Sequence, residues 1–261
     1  MCEVWNLGLI EYGKAWELQR KLHHQRTEGE ISDVLLLLEH PPTITIGRSG
    51  TLDNVLISKE RLAEEGISLF FIDRGGDVTY HGPGQLVGYP ILDLREKDLH
   101  QYVHNLEEVI LRTLKDFSIS ANRDGLHPGV WVNEEEIAAI GLSVKRWVSM
   151  HGFALNVNTN LNHFTFINPC GFVDRRATSM SKILGGNVPM EGVSNRLIFH
   201  LCDIFNFPKV IHSNSVAEGA EAMSRHYGSL YRDFRKFFPE PLAFSEIRAG
   251  LDHIIKDMLS L

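Results

Sequence analysis

Cysteine is scarce in this chain of 261 residues: Cys2, Cys170 and Cys202 are too few and too scattered for a disulfide framework, and no C-x-x-C pair offers a structural metal site. No apolar segment reaches the roughly 18 residues of a membrane helix, and the N-terminus, Met-Cys-Glu-Val-Trp-Asn, lacks a basic region followed by an apolar run. The expectation is a cytoplasmic protein without a membrane partner. Positive charge is not in excess either. Twenty-six Lys and Arg against 33 Asp and Glu leave a net charge of −7, which argues against a nucleic-acid partner. Both common phosphate-binding spacings, G-x-x-x-x-G-K-[ST] and G-x-G-x-x-G, are missing, so a nucleotide is not the favoured ligand. No internal repeat and no low-complexity tract is visible.

What is present is an ordinary globular composition, 43% hydrophobic and 23% charged, enough to bury a sizeable core. Its most unusual stretch is Arg74 to Pro90, RGGDVTYHGPGQLVGYP. Gly75, Gly76, Gly82, Gly84 and Gly88 allow positive φ or close backbone approach, and Pro83 stiffens the turn between two of them. Arg74, Asp77, Val78, Thr79, Tyr80, His81 and Gln85 sit among these glycines. The run is too long for a single hairpin turn, and it reads as a ligand cradle.

Periodicity places the surrounding elements. Ala15, Leu18 and Leu22 predict a helix from Tyr12 to about Arg26, and the continuous Val34–Leu38 run predicts a strand buried on both faces. Glu39-His40-Pro41-Pro42 breaks it, and Thr43–Gly47 resumes with strict alternation. Ser58 reads as the N-cap of a helix over Lys59–Glu65, with Ile57 and Leu62 as a hydrophobic staple. A strand over Ser68–Ile72 leads into the cradle, and Leu86–Leu94 leaves it as a buried strand. Leu99, Val103, Leu106, Ile110, Leu114 and Phe117 mark a long amphipathic helix. Strands are expected at Gly129–Val132, Ile137–Val144 and Val148–Val157, a loop or irregular crossing at Asn158–Pro169, and a helix around Val193, Leu197, Leu201 and Ile204. The composition shifts after Pro208. Residues 1–210 are expected to form the main domain and 211–261 a helical extension, with helices at Val216–His226 and Phe244–Leu259. The paired His23 and His24 read as solvated, Cys202 as core, and Cys2 as terminal and exposed.

Cys170 differs from the other cysteines. In Asn168-Pro169-Cys170-Gly171 it follows a proline and precedes a glycine, a tight bend that core packing seldom requires. Taken together with Glu39–Pro42, Arg74–Pro90, Ile137-Ala138-Ala139-Ile140-Gly141 and Met150–Asn156, this motif resembles the lipoyl(octanoyl) transferases of lipoate biosynthesis, relatives of the lipoate and biotin protein ligases. The resemblance covers roughly residues 5–207. It implies an α+β fold, a mixed β-sheet flanked by helices of the biotin/lipoate protein ligase type. It also implies that an octanoyl group passes from acyl carrier protein to the Cys170 thiol and then to a lysine on a lipoyl domain of a 2-oxoacid dehydrogenase or glycine cleavage H protein, without ATP or another cofactor. By the same resemblance, Arg74–His81, Ala139-Ile140-Gly141 and Gly152-Phe153-Ala154 line the substrate pocket, and His40 lies at it.

One position departs from the pattern. Where the family has a lysine directly before Ile-Ala-Ala-Ile-Gly, this chain has Glu136. Two unit charges about 4 Å apart interact by roughly 4 kcal/mol at an effective dielectric near 20, so exchanging a cation for an anion beside the thiol raises its pKa. Three readings stand open at this point. His81, His151 or Lys145 supplies the activation while Glu136 turns aside or serves as base for the acceptor amine; or the chain binds substrate with little turnover; or it is a binding module for acyl carrier protein or lipoyl domains. Lys145 itself reads as a surface charge. A Cys-His hydrolase that releases octanoate is a further class.

Overall fold

The computed structural model describes residues 2–125, 127–168, 176–207 and 210–213. In chain order the elements are β1 (Cys2–Leu9), α1 (Tyr12–Thr27), β2 (Asp33–Glu39), β3 (Thr43–Ile46), α2 (Lys59–Glu64), β4 (Ser68–Phe71), β5 (Val78–His81), β6 (Gln85–Ile91) and α3 (Leu99–Asp116). They continue with β7 (Asn122–Arg123), β8 (Gly129–Val132), β9 (Glu135–Lys145), β10 (Val148–Asn156), β11 (Arg176–Ala177), α4 (Met180–Leu184), α5 (Met190–Ile204) and β12 (Val210–Ser213). The larger sheet runs β12-β1-β2-β6-β10-β9-β8-β7, with β11 beside β9; a smaller one runs β4-β3-β5. Both mix parallel and antiparallel pairs: β1 is parallel to β2, whereas β2, β6, β10 and β9 alternate in direction.

The unbroken apolar run in β2 follows from cover on both faces. Leu35 and Leu37 point into a core with α3 (Leu106, Ile110, Leu114) and α5 (Val193, Leu197, Leu201), while Val34, Leu36 and Leu38 point to the other side, against Ala15 and Leu22 of α1. A third cluster joins Ile44, Ile46, Val78 and Tyr80 of the small sheet to Leu62 of α2. Ser58 caps α2 by accepting from the Arg61 N–H at 3.2 Å, and Ile57 packs on the same cluster as Leu62.

Several expectations change. Cys2 is buried rather than exposed, because β1 lies inside the sheet between β12 and β2; Glu3, itself buried and accepting from the Trp5 indole at 3.2 Å, interrupts the apolar pattern that would reveal the strand. Thr43 and Thr45 are as buried as Ile44 and Ile46, so β3 has no solvent face despite its alternation. His24 is exposed as expected, but His23 is half-buried with its Nε2 3.2 Å from the Val148 carbonyl oxygen. A 3₁₀ turn, Leu161–Phe166, occupies the expected irregular crossing. Cys202 is half-buried against the main core. The last described strand, β12, begins at Val210 and pairs in parallel with β1. The two helices expected further on lie outside the described residues.

What positions the site is a close backbone approach at the centre of the large sheet. Gly141 of β9 faces Gly152 of β10, and Gly88 of β6 faces Phe153 of β10. A Cβ on Gly152 would overlap the Gly88 carbonyl oxygen, and one on Gly88 would overlap the Phe153 ring. Gly152→Ala is expected to lower stability by about 1–3 kcal/mol, as overpacking does. By contrast Gly186→Ala, where an added Cβ has open space, is expected to change it by less than about 0.5 kcal/mol. Urea unfolding midpoints of the two variants check this; equal midpoints would refute the close approach.

Candidate active site

The cradle is built by stitching a glycine-rich segment to both sheets. The N–H groups of Gly47, Arg48 and Ser49, just past β3, donate to the carbonyls of Asp77, Arg74 and Gly76 at 2.9, 3.0 and 3.3 Å. The Gly75 N–H donates to the Leu142 carbonyl of β9 at 2.7 Å. Gly76 turns the chain at φ +83°, a conformation that favours glycine. Arg74 is the buried centre of this junction. Its Nη2 donates to the Thr45 carbonyl (2.9 Å) and hydroxyl (3.0 Å), its Nη1 donates to the Gly75 carbonyl (2.9 Å), and its Cδ lies over Gly141.

Beneath this segment opens a cavity with about 650 Å³ of empty space, counted out into open solvent. Its floor is the cross-strand register of two motifs that are separate in sequence: Ala139 faces Ala154, Ile140 faces Phe153 and Gly141 faces Gly152. Arg74, Gly76, Asp77, Val78, Thr79 and His81 form one wall, and Glu136, Tyr12, Tyr89, Pro128 and His151 complete it. The structure therefore brings together most of the site expected from sequence. Gly75 and Tyr80 lie behind the wall; the Tyr80 hydroxyl is 2.7 Å from His163 Nδ1 instead. His40 lies one layer deeper. Lys145 stands exposed at the β9–β10 hairpin and does not reach the cavity. Cys170 lies outside the described residues, though both described flanks of its segment are anchored. The Asn168 N–H donates to the Asn54 carbonyl (2.8 Å), and Ala177 pairs with Glu136, whose carbonyl accepts from the Thr178 N–H (2.9 Å).

Three buried histidines and two tyrosines pack at one end of the cavity. His40 donates from Nδ1 to the Ile10 carbonyl at 2.7 Å, so its Nε2 accepts from the Tyr89 hydroxyl at 2.7 Å. Burial pushes its pKa down to about 4 against the opposing pull of the Ile10 carbonyl. His81 stacks on Tyr12, ring centroids 5.7 Å apart, and donates from Nδ1 to Gln85 Oε1 at 2.8 Å. The Gln85 amide orientation is fixed in turn, since its Nε2 donates to the Tyr80 carbonyl and to Asn156 Oδ1. Burial, and then the neighbouring His40, hold His81 well below its ordinary pKa. His151 sits at φ +59° inside β10, its N–H donating to Gln19 Oε1 at 2.8 Å and its Nε2 3.0 Å from Asp73 Oδ1. Burial lowers its pKa while the Asp73 carboxylate pulls the other way, and the same hydrogen bond brings Asp73 down to about 2.

Sequence reading left Tyr12, Tyr89 and Pro128 out of the site. Tyr89 falls inside the conspicuous Arg74–Pro90 stretch and was open to inclusion. Tyr12 carried no local signal, because only the packing of the α1 N-terminus over His40 and His81 brings it there.

Comparison with known proteins agrees with this geometry. The sequence profile of the lipoyl protein ligase A/B catalytic domain matches residues 11–202. An octanoyltransferase of Caldicellulosiruptor saccharolyticus is 52% identical over 203 residues, covering 76% of this chain and 86% of that protein. One of Alkaliphilus metalliredigens is 51% identical over 207 residues, covering 78% and 95%. Among solved structures, a lipoate-protein ligase A bound with ATP superposes with a TM-score of 0.69 over 86% of this chain and 93% of that one, at 15% identity. A bi-partite lipoate protein ligase from Thermoplasma acidophilum gives 0.61 over 96% and 98%, at 16% identity. At these identities the solved structures speak to the fold alone: a mixed sheet flanked by helices, of the lipoate ligase type.

The buried histidines make a pH prediction. Their folded pKa values lie below that of an unfolded histidine, near 6.5, so the unfolded chain binds more protons as pH falls through 6.5. Their contribution is present above 6.5 and lost below it, by up to about 1.4 kcal/mol per pH unit for each histidine. Denaturant midpoints are expected to drop between pH 7 and pH 5, with less drop in His40→Gln. A pH-independent midpoint over that range would contradict the assignment of neutral, buried rings.

Proposed function

The chain belongs to the lipoyl protein ligase A/B catalytic domain family and is an octanoyltransferase, an acyltransferase; from that premise we propose that it takes octanoyl from acyl carrier protein onto the Cys170 thiol and passes it to a lysine of a lipoyl domain, in the cytoplasm. The observation that carries this reading is the cavity floor. Paired Ala139–Ala154, Ile140–Phe153 and Gly141–Gly152 leave a narrow apolar surface that suits an alkyl chain, while the glycine-rich wall offers backbone groups to its carbonyl end. A thioester is already activated toward an amine, so no nucleotide is required by the chemistry.

In the first half-reaction the Cys170 sulfur bonds to the thioester carbonyl carbon, the bond to the carrier's thiol breaks, and the carrier leaves as a thiol with the proton Cys170 gives up. In the second, the lysine nitrogen bonds to the same carbon, the bond to Cys170 breaks, and the thiol is restored. The acceptor amine, with an ordinary pKa near about 10.4, must lose its proton before attack. The pairing of Ala177 with Glu136 on the cavity wall, and the Asn168 N–H bond to Asn54, whose side-chain amide donates to Asp77 of that wall, favour Cys170 as the acylated residue.

Glu136 on that wall opposes thiolate formation where the family has a lysine. Two measurements follow. Intact mass after incubation with octanoyl-acyl carrier protein is expected to show one octanoyl adduct that is absent in Cys170→Ala; no adduct at any pH up to about 9 would favour a non-catalytic binder. Glu136→Lys is expected to move the midpoint of Cys170 alkylation by iodoacetamide to lower pH; an unchanged midpoint would refute the electrostatic role of residue 136.

A further inference from the structure

The cavity floor has two different ends. On one side Glu136 pairs with Ala177, and on the other the floor stops at His151, which faces Leu142 across the strands. The first floor pair on the Glu136 side, Ala139–Ala154, lies three residues along β9 from that stop, about 10 Å at the rise of a strand. An extended octanoyl chain has nearly the same length, about 9 Å from its first carbon to its last, given carbon–carbon bonds of about 1.5 Å at tetrahedral angles. We infer that the rings at the His151 end, those of Tyr12, His81, Tyr89 and His151, form the stop that sets the length of acyl chain this enzyme accepts. The inference rests on the reading of the cavity as the octanoyl site, with the carbonyl end toward Glu136, and deepens it.

All four rings line the cavity and all four are buried, so a chain end that reaches them meets side chains and not solvent. They come from four different elements: α1, β5, β6 and β10. Contacts run from ring to ring. His151 meets Tyr89 edge-on at 6.3 Å between centroids, Tyr89 meets His40 at 5.9 Å, His40 meets Tyr12 at 4.9 Å, and Tyr12 stacks on His81 at 5.7 Å.

Hydrogen bonds fix this wall from behind. Tyr89 donates to His40, which donates to the Ile10 carbonyl; Gln85 holds His81; Gln19 and Asp73 hold His151. Tyr12 is wedged further by Phe70, at 5.2 Å between centroids. A longer chain has to displace rings that are both packed and hydrogen-bonded, and a close-packed interior yields little to an added methylene. Burial keeps His81 and His151 neutral at pH 7, so the chain end meets aromatic rings rather than charges.

Tyr12 is the ring to shorten, because it stands in the first turn of α1, outside both sheets, and its loss leaves the sheet register in place. Binding of S-alkyl pantetheines with four to twelve carbons to the full chain, measured by calorimetry, reads the length directly, since these thioethers cannot transfer their alkyl group. For the unmodified chain, affinity is expected to rise about fourfold per added methylene up to eight carbons. Beyond eight it is expected to fall, by about tenfold or more at twelve. Tyr12→Leu is expected to move the break to ten or twelve carbons, and Tyr12→Phe, which keeps the ring, to hold it at eight. His81→Ala opens the same wall from β5 and serves as a second variant. A break that moves in either shortened variant supports the gauge. Affinity that keeps rising through twelve carbons in the unmodified chain, or a break that stays at eight in both folded variants, overturns it. Binding also separates the two levels: if no thioether binds at any length, the octanoyl-site reading fails, and if the eight-carbon chain binds while the break never moves, the gauge alone fails.

Discussion

A buried guanidinium must be surrounded by acceptors, and at Arg74 that requirement joins the two sheets. Its hydrogen bonds reach Thr45 of the small sheet and the Gly75 carbonyl of the cradle, and its stem rests on Gly141 of the large sheet, where no side chain intervenes. The glycines at 47, 76 and 141 are explained by this junction: a Cβ at Gly47 would meet the Gly76 carbonyl, one at Gly76 would crowd the guanidinium, and one at Gly141 would meet its Cδ. The cavity is the space left when the two sheets are held apart by one arginine and brought together by backbone hydrogen bonds.

The same charge conditions the histidines. Arg74 opposes protonation of both His81 and His151, adding to the larger effect of burial. Neutral rings have definite tautomers, each fixed here by a different acceptor: the Ile10 carbonyl for His40, Gln85 for His81 and Asp73 for His151. Only the last acceptor is charged.

How much of this was legible depends on the range of the interaction involved. The apolar run of β2, the periodicity of α1 and α3 and the Ser58 cap are local patterns, and each element appears within a residue or two of its expected place. The cradle was legible because five glycines among ionisable residues have few structural uses. Register was not: the sequences Ala139-Ile140-Gly141 and Gly152-Phe153-Ala154 show no sign that they face one another, although this pairing forms the cavity floor. Nor does His151 announce its partner, since Asp73 lies 78 residues away on the loop between β4 and β5, and the positive φ of a histidine inside a strand has no sequence signature. The burial of Cys2 has no local signature, because its strand is enclosed by β2 on one side and by β12, about 200 residues away in sequence, on the other.

The central claim is that the octanoyl chain lies on the glycine-alanine floor with its carbonyl end toward Glu136, the wall residue with which Ala177, beyond Cys170, pairs. A crystal structure of the full chain with an octanoyl-pantetheine thioether, which cannot transfer its alkyl group, tests it most directly. The account predicts the alkyl chain between Gly141–Gly152 and the Arg74 segment, with the atom that replaces the carbonyl carbon at the Glu136 end of the cavity. An alkyl chain bound elsewhere, with this cavity filled only by solvent, would contradict it.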